Sequence, residues 1–141
     1  YQLTDIGASL LLESINEFNK IKKHRNKIYD IYSKNLSNNN KITYLKNNDI
    51  KSKCVMWLFT ILTPYKDLLQ KKLRQLKVET NQVHFRNYRY SIFKKFTKNK
   101  KFPNMEKLQN QYLVLPMHTK MSFNDALNIS RKINLIIKQI K

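Results

Sequence analysis

The residues that most often do chemistry are few in this sequence and lie far apart. Its histidines are His24, His84 and His118, and its only cysteine is Cys54. No pair of these residues has the spacing of zinc ligands, so we expect no metal site. Cys54 lies inside an apolar run, where a buried, unreactive thiol is expected. His24 is expected to be solvated, and His118, in the loop after Pro116, is expected to cap a strand or face a cleft.

Other catalytic signatures are weak. Gly7 is the single glycine, which excludes a glycine-rich phosphate loop. The six acidic residues after position 19 are widely scattered, so no pair suggests a general acid and base. We therefore assign no catalytic residue and expect the chain to be poorly equipped as an independent enzyme.

Residues 85–101 combine basic and aromatic side chains. Seven lysines and arginines are interleaved there with five aromatic residues. Cations for phosphates and aromatic faces for bases are what a single-strand nucleic-acid surface needs. The alternative is a loop whose rings pack down while its lysines stay in solvent. Both interpretations stay open on the sequence alone.

The whole chain is strongly basic. It carries 28 lysines and arginines against nine acidic residues, a formal net charge of +19, which suggests an anionic partner. Only five of the basic residues are arginine, the better residue for bidentate phosphate contacts. Lysine, asparagine and isoleucine all have AT-rich codons. We therefore interpret much of the charge as a bias of the coding DNA and do not expect nucleic acid to be the main partner.

The length of 141 residues fits one domain. One cysteine cannot form an internal disulfide, and we expect a cytoplasmic location. The longest apolar run, residues 54–62, is about half of what a membrane-spanning helix requires, so we expect no membrane association. Because the chain begins at Tyr1 rather than methionine, we expect it to be part of a longer protein.

Apolar periodicity predicts helices at both ends of the chain. Residues 1–36 are predicted to form one long helix, or two in tandem with a bend near residues 16–19. Thr4 is its expected N-cap. The last helix follows a capping box of Ser122 and Asp125. Its apolar residues step by three and four positions: Ala126, Ile129, Ile133, Ile136 and Ile140.

The middle of the chain is predicted to supply a sheet. Strands are expected at residues 42–44, 54–62, 78–83 and 112–115, with helices beginning at Asp67 and near Asn104. Residues 37–141 would then form a sheet with flanking helices. This order predicts an α+β fold, a small sheet packed with helices.

Five short segments carry a further signal. Residues 1–8 read Tyr-Gln-Leu-Thr-Asp-Ile-Gly-Ala, residues 56–62 are an apolar strand, and residues 77–80 read Lys-Val-Glu-Thr. Residues 83–87 read Val-His-Phe-Arg-Asn, and residues 113–118 read Leu-Val-Leu-Pro-Met-His, with Met-Ser at 121–122. In order and spacing these segments resemble the DegT/DnrJ/EryC1/StrS sugar aminotransferases. That family has Tyr-Arg-(Leu/Met)-(Thr/Ser)-Asp-Ile-Gln-Ala, Lys-Gly-Ile-Glu-Thr and Leu-Ser-Leu-Pro-(Leu/Met)-His at the corresponding places.

The resemblance covers the whole chain and implies a fold and a function. Residues 1–141 would be the C-terminal small domain of a fold-type I enzyme that depends on pyridoxal 5'-phosphate. Such an enzyme aminates a keto-deoxy sugar attached to a nucleotide, and it acts as a homodimer. The Schiff-base lysine and most phosphate ligands of the family lie upstream. The chain would therefore be inactive without an upstream large domain and would not bind the cofactor alone.

The resemblance also implies site residues. His84, Arg86 and Asn87 lie in the substrate-side loop and are the predicted substrate-binding residues. Arg86 is suited to the diphosphate of a nucleotide sugar. Tyr1 is the predicted cofactor-binding residue, near the cofactor of the partner subunit.

Several residues depart from the family pattern. Gln2 replaces the usual arginine, Gly7 replaces the usual glutamine, and Tyr88 and Tyr90 stand where an acid and a histidine are common. A different substrate and degraded chemistry both stay open. The alternative functions are a basic nucleic-acid-binding module and a non-catalytic remnant. Trp57 is expected to pack in the core rather than to serve as a sugar platform.

Overall fold

The computed structural model describes residues 2–46 and 55–140. Within these residues the helices and strands follow in the order α1 (Asp5–Asn16), α2 (Phe18–Leu36), β1 (Thr43–Tyr44), β2 (Phe59–Leu62), α3 (Lys66–Gln75), α4 (Lys94–Thr97), α5 (Pro103–Gln109), β3 (Tyr112–Leu115) and α6 (Phe123–Gln139). Two short turns of 3-10 helix, Asn87–Arg89 and Ser91–Phe93, lie between α3 and α4. The fold is α+β, as the sequence predicts.

The three strands form an antiparallel sheet in the order β1-β2-β3. Phe59 lies opposite Leu115 and Ile61 lies opposite Leu113. All four side chains are buried. Because alternate residues of a strand point to the same side, Phe59 and Ile61 place the centre of the sheet in the core.

Strand β2 is shorter than the sequence predicts. It begins at Phe59, whereas the predicted strand begins at Cys54, which lies outside the described residues. The Nη1 atom of Arg25 donates hydrogen bonds to the carbonyl oxygens of Met56 at 3.4 Å and Trp57 at 2.9 Å. Backbone groups that bond to a helix side chain are not available to a neighbouring strand. The ladder therefore starts after them.

The strand predicted over residues 78–83 is reduced to a single bridge. Asn81 and Val114 exchange both backbone hydrogen bonds, at 3.2 and 2.8 Å. The N–H group of Val78 instead closes the end of α3 on the carbonyl of Leu73, at 2.9 Å. Since this turn uses the backbone at the start of the segment, only its middle reaches β3.

Helix α6 lies between α2 and α3 and completes the core. Ser122 and Asp125 form the predicted capping box. Most of the predicted apolar face is buried, as the sequence indicates: Ala126, Ile129, Ile133 and Ile136. The spacing of these residues therefore predicts their burial correctly.

Tyr32 of α2 joins the core to the end of β3. Its side chain is fully buried, and its hydroxyl donates a hydrogen bond to the carbonyl oxygen of Pro116 at 2.9 Å. Burial, and secondarily the charge of Asp125, raises the pKa of Tyr32, so the phenol stays neutral. This bond fixes the turn that follows β3 against α2.

Helix α1 has no buried residue. The hydroxyl of Thr4 accepts a hydrogen bond from the N–H of Gly7 at 3.1 Å, which makes Thr4 the predicted N-cap. The helix ends at Asn16, and α2 begins two residues later. Exposed apolar side chains occupy most of its surface: Ile6, Leu10, Leu11, Leu12 and Ile15. Across residues 2–46 and 55–140, no helix is long and apolar enough to cross a membrane.

Candidate substrate-facing site

The segment between α3 and α5 holds the predicted substrate-binding residues. After the bridge at Asn81, it contains an irregular stretch, residues 82–86, followed by the two 3-10 turns and the short helix α4. None of these three elements contains a buried residue. Tyr1, the predicted cofactor-binding residue, lies outside the described residues.

His84 combines a fixed backbone with an exposed side chain. The hydroxyl of Tyr112 donates a hydrogen bond to the carbonyl of His84 at 2.5 Å and accepts one from its N–H group at 2.9 Å. The residue is exposed, so its imidazole is not sealed in the interior. Strand β3 therefore holds the backbone of His84 through one side chain and leaves the imidazole accessible.

Arg86 is engaged within the chain. One of its terminal nitrogens pairs with Oε2 of Glu106 in α5, and its side chain is only 13% exposed. Its Nε atom is buried without a partner among the described residues. The positive charge of Arg86 is therefore directed at a carboxylate of its own chain.

Glu106 makes polar contacts with three side chains of the loop. Besides Arg86, its Oε1 accepts a hydrogen bond from the hydroxyl of Tyr88 and lies 3.7 Å from Nη2 of Arg89. The hydrogen bond from Tyr88, followed by the charges of Arg86 and Arg89, holds the pKa of Glu106 below its ordinary value. Glu106 thus ties the first 3-10 turn to α5.

An aromatic cleft of about 580 Å³ opens beside this loop. Tyr88 stacks on Phe102 with ring centroids 4.6 Å apart, and Phe85 meets Tyr90 edge to face at 5.8 Å. His84 and Asn87 add polar groups to the cleft. The lining residues are Val83, His84, Phe85, Asn87, Tyr88, Tyr90, Phe93, Thr97, Phe102 and Met105. Two of the three predicted substrate-binding residues therefore line one cleft, and Arg86 does not.

Trp57 lies on the surface, contrary to the expectation that it packs in the core. Its side chain is 64% exposed. Arg25 holds the backbone around it, because Nη1 also donates a hydrogen bond to the carbonyl of Met117 at 3.3 Å. The guanidinium thus joins the entry to β2 to the turn after β3, and the extended segment at Trp57 lies outside the sheet.

The other two histidines lie away from the aromatic cleft. His24 stacks on Phe123 with ring centroids 5.1 Å apart, so it is only partly solvated. His118 lines a separate cleft beside the start of α6 with Asp125, whose pKa is lowered chiefly by hydrogen bonds from Ser122. In the described part of the chain, no group of three or more histidine, cysteine, aspartate or glutamate residues could hold a metal ion.

Sequence reasoning missed Glu106, Tyr112 and Arg25. Two of them have a detectable signal. Glu106 is the only acidic residue between Glu79 and Asp125, inside the most basic part of the chain. Arg25 is a charged residue at a position where the helical spacing calls for an apolar one.

Comparison with known proteins decides the family. The sequence matches the DegT/DnrJ/EryC1/StrS aminotransferase family over residues 1–134. The chain belongs to this family. No curated protein matches it.

Solved structures of aminotransferases share the fold of this DegT-family chain. The aminotransferase TlmJ of Streptoalloteichus hindustanus superposes with a TM-score of 0.88 at 15% identity, over 97% of this chain and 37% of its own. PseC of Helicobacter pylori, an aminotransferase involved in the biosynthesis of pseudoaminic acid, superposes with a TM-score of 0.86 at 19% identity, over 99% of this chain and 39% of its own. The pyridoxal-phosphate form of Spr1654, a putative sugar aminotransferase from Streptococcus pneumoniae, superposes with a TM-score of 0.86 at 18% identity, over 98% of this chain and 36% of its own. The DegT-family chain therefore spans well under half the length of these proteins.

The family motifs fall at defined places in the fold. The Leu-Val-Leu-Pro-Met-His motif of residues 113–118 forms β3 and the turn that Tyr32 and Arg25 hold. The Lys-Val-Glu-Thr motif of residues 77–80 forms the turn after α3. These two motifs of the DegT-family chain thus lie at the C-terminal ends of β3 and α3.

Proposed function

We propose that this chain is the C-terminal small domain of a nucleotide-sugar aminotransferase that depends on pyridoxal phosphate. In this proposal it is inactive without an upstream cofactor-binding domain, and the complete enzyme is a cytoplasmic homodimer. Family membership supports the aminotransferase assignment. The share of the solved relatives that the chain spans, 37% of TlmJ and 39% of PseC, supports an additional domain.

Helix α1 is the observation that carries the proposal. Four of its five polar residues, Asp5, Ser9, Glu13 and Asn16, recur every three or four positions and so share one narrow face. The remaining surface is apolar except for Gly7 and Ser14, and every residue of the helix lies outside the core. A helix that is apolar over most of its surface is normally buried. The upstream domain is the partner that we propose covers it.

The cofactor does not fit the described residues. A lysine that forms a Schiff base is activated by removal from solvent or by a neighbouring cation. No lysine in the described part of the chain is buried, because the buried polar residues there are Thr63, Gln109 and Ser130. When bound, pyridoxal phosphate supplies the electron sink for amino transfer. We therefore place the cofactor and its lysine outside these residues.

The residues of this chain would act on the substrate rather than on the cofactor. His84 presents an exposed imidazole from a backbone that Tyr112 fixes, and Asn87 lies beside it in the aromatic cleft. We propose that these two side chains orient the substrate. Arg86 contributes through Glu106, by holding the loop, and not as a free cation.

The test compares the chain alone with the longer protein. The purified 141-residue chain should show no aldimine absorbance band with pyridoxal phosphate and no amino transfer to a keto sugar nucleotide. Both should appear when the upstream part of the reading frame is coexpressed with it. An aldimine band and amino transfer from the chain alone would contradict the proposal.

A nucleic-acid-binding module is the second candidate. The aromatic residues of the segment do not all pack down, since Phe85, Tyr90 and Phe96 are each about half exposed or more. Exposed rings among lysines favour stacking of single-stranded bases. This candidate predicts oligonucleotide binding that weakens steeply with salt, whereas negligible binding at low salt would remove it.

A further inference from the structure

A second cleft adjoins the aromatic cleft. It measures about 490 Å³ and is lined by Tyr88, Lys94, Lys95, Thr97 and Lys98. Tyr88 and Thr97 line both clefts, so the two openings share a wall. One opening is aromatic and the other is cationic.

The shared wall is held in place before any ligand arrives. Tyr88 stacks on Phe102, and its hydroxyl is bonded to Glu106. Thr97 donates a hydrogen bond from its hydroxyl to the carbonyl of Phe93 at 3.0 Å. Because its position is fixed from two sides, the Tyr88 ring loses little freedom when a ligand packs on it.

The cationic cleft concentrates positive charge. Lys94 and Lys98 are four residues apart along α4 and its end, and Lys95 lies between them. All three are exposed. No acidic residue lines either cleft among the described residues, and Glu106, which bonds to Tyr88 of the shared wall, is already paired with Arg86. Such a group of lysines attracts phosphate.

We propose that the two clefts form one site for a nucleoside diphosphate. The base packs in the aromatic cleft against the Tyr88 side, and the phosphates bind Lys94, Lys95 and Lys98. The proposal rests on the proposed function, which it deepens by stating which part of the substrate each cleft takes. It differs from the sequence prediction, which gives the diphosphate to Arg86, because Arg86 is already paired with Glu106.

Two lysine pairs give a matched test. Lys94→Ala with Lys98→Ala removes two charges from the cationic cleft. Lys100→Ala with Lys101→Ala removes the same charge from neighbouring residues that do not line it. All four lysines are exposed, so both double variants should fold, which the thermal midpoint checks. The chain is titrated calorimetrically with ADP and UDP, with uridine and with pyrophosphate.

The expected result is that both nucleoside diphosphates bind more tightly than uridine or pyrophosphate alone. The Lys94/Lys98 variant should lose about tenfold or more in affinity for the diphosphates, as expected for lost charged hydrogen bonds. Its affinity for uridine should be unchanged. The Lys100/Lys101 variant should bind all four compounds within about twofold of the wild type, because the two charges that it lacks act on the ligand only from a distance and are screened by salt.

Three outcomes would overturn the proposal. The wild-type chain fails to bind ADP and UDP, or both lysine pairs weaken binding equally, or an oligonucleotide binds far more tightly than a mononucleotide and depends on both pairs. The test separates this proposal from the proposed function. If the longer protein forms an aldimine but the chain does not bind nucleotides, only the cleft assignment is refuted. If the chain binds nucleotides but the longer protein forms no aldimine, only the aminotransferase assignment is refuted.

Discussion

The hydroxyl of Tyr112 bonds both backbone groups of His84, at 2.5 Å to the carbonyl oxygen and 2.9 Å to the N–H group. Through these two hydrogen bonds β3 holds the first residue of the candidate site. A phenol at the start of a strand thereby sets the position of a loop 28 residues earlier in the chain.

Replacement of Tyr112 by phenylalanine should loosen the loop without disturbing the core. Each lost hydrogen bond contributes about 1 kcal/mol, so the free energy of unfolding should fall by about 1–2 kcal/mol. The His84 amide should exchange its hydrogen at least tenfold faster. Tyr90→Phe is the control, since the Tyr90 hydroxyl has no hydrogen-bond partner within the described residues. Unchanged exchange in Tyr112→Phe would show that the loop is held elsewhere.

Glu106 should make the loop sensitive to acid. Its pKa is lowered below the ordinary 4.5, so its contribution to stability is fully present above pH 4.5 and is lost as the pH falls through the lowered value. Glu106→Gln should remove this part of the pH dependence of the thermal midpoint. It should also speed tryptic cleavage after Arg86 and Arg89 at pH 8. Glu79→Gln, which removes the same charge from an exposed site, should do neither.

Arg25 should matter more than its surface neighbours on α2. Its guanidinium donates hydrogen bonds to the carbonyl oxygens of Met56, Trp57 and Met117. Arg25→Met should lower the free energy of unfolding by about 2–3 kcal/mol, because charged hydrogen bonds are lost and partly buried carbonyls lose their donor. Trp57 is the only tryptophan, so its fluorescence spectrum reports the local change directly. Lys23→Met is the control, and equal effects of the two changes would contradict the assignment.

Lys77 occupies a position that suits glycine. Its φ of 58° lies in the left-handed region, at the residue after the end of α3. Lys77→Gly should raise the free energy of unfolding by about 0.5–1 kcal/mol, since the side chain no longer opposes this conformation. The family motif has glycine just before Ile-Glu-Thr, which matches Lys77 before Val78. Lys71→Gly, at an exposed position in the middle of α3, should instead lower the free energy of unfolding by about 1 kcal/mol.

The parts of the fold that local rules determine could be predicted from the sequence. The inner face of α6 and its capping box depend on residues three or four positions apart, so the spacing of Ser122, Asp125 and Ile133 was sufficient. The start of β2 could not be predicted, because Arg25, more than thirty residues earlier, takes the carbonyl groups before it.

The candidate site also contains residues that the sequence predicted and contacts that it could not predict. The resemblance to the family pointed to the loop of His84 and Asn87, and both residues line the aromatic cleft. The partner of Arg86 could not be predicted, since Glu106 lies 20 residues later in a helix that the sequence alone does not orient. The sequence suggests that Arg86 binds a diphosphate, whereas in the folded chain Arg86 pairs with Glu106 and holds the loop.

The most direct test of the central claim is to locate the lysine that binds pyridoxal phosphate. The longer protein is treated with one equivalent of pyridoxal phosphate, reduced with borohydride and digested for mass spectrometry. The account predicts one stoichiometric phosphopyridoxyl label on a lysine outside the 141 residues, and no stoichiometric label on the 23 lysines within them. A stoichiometric label on a lysine within these residues would contradict it.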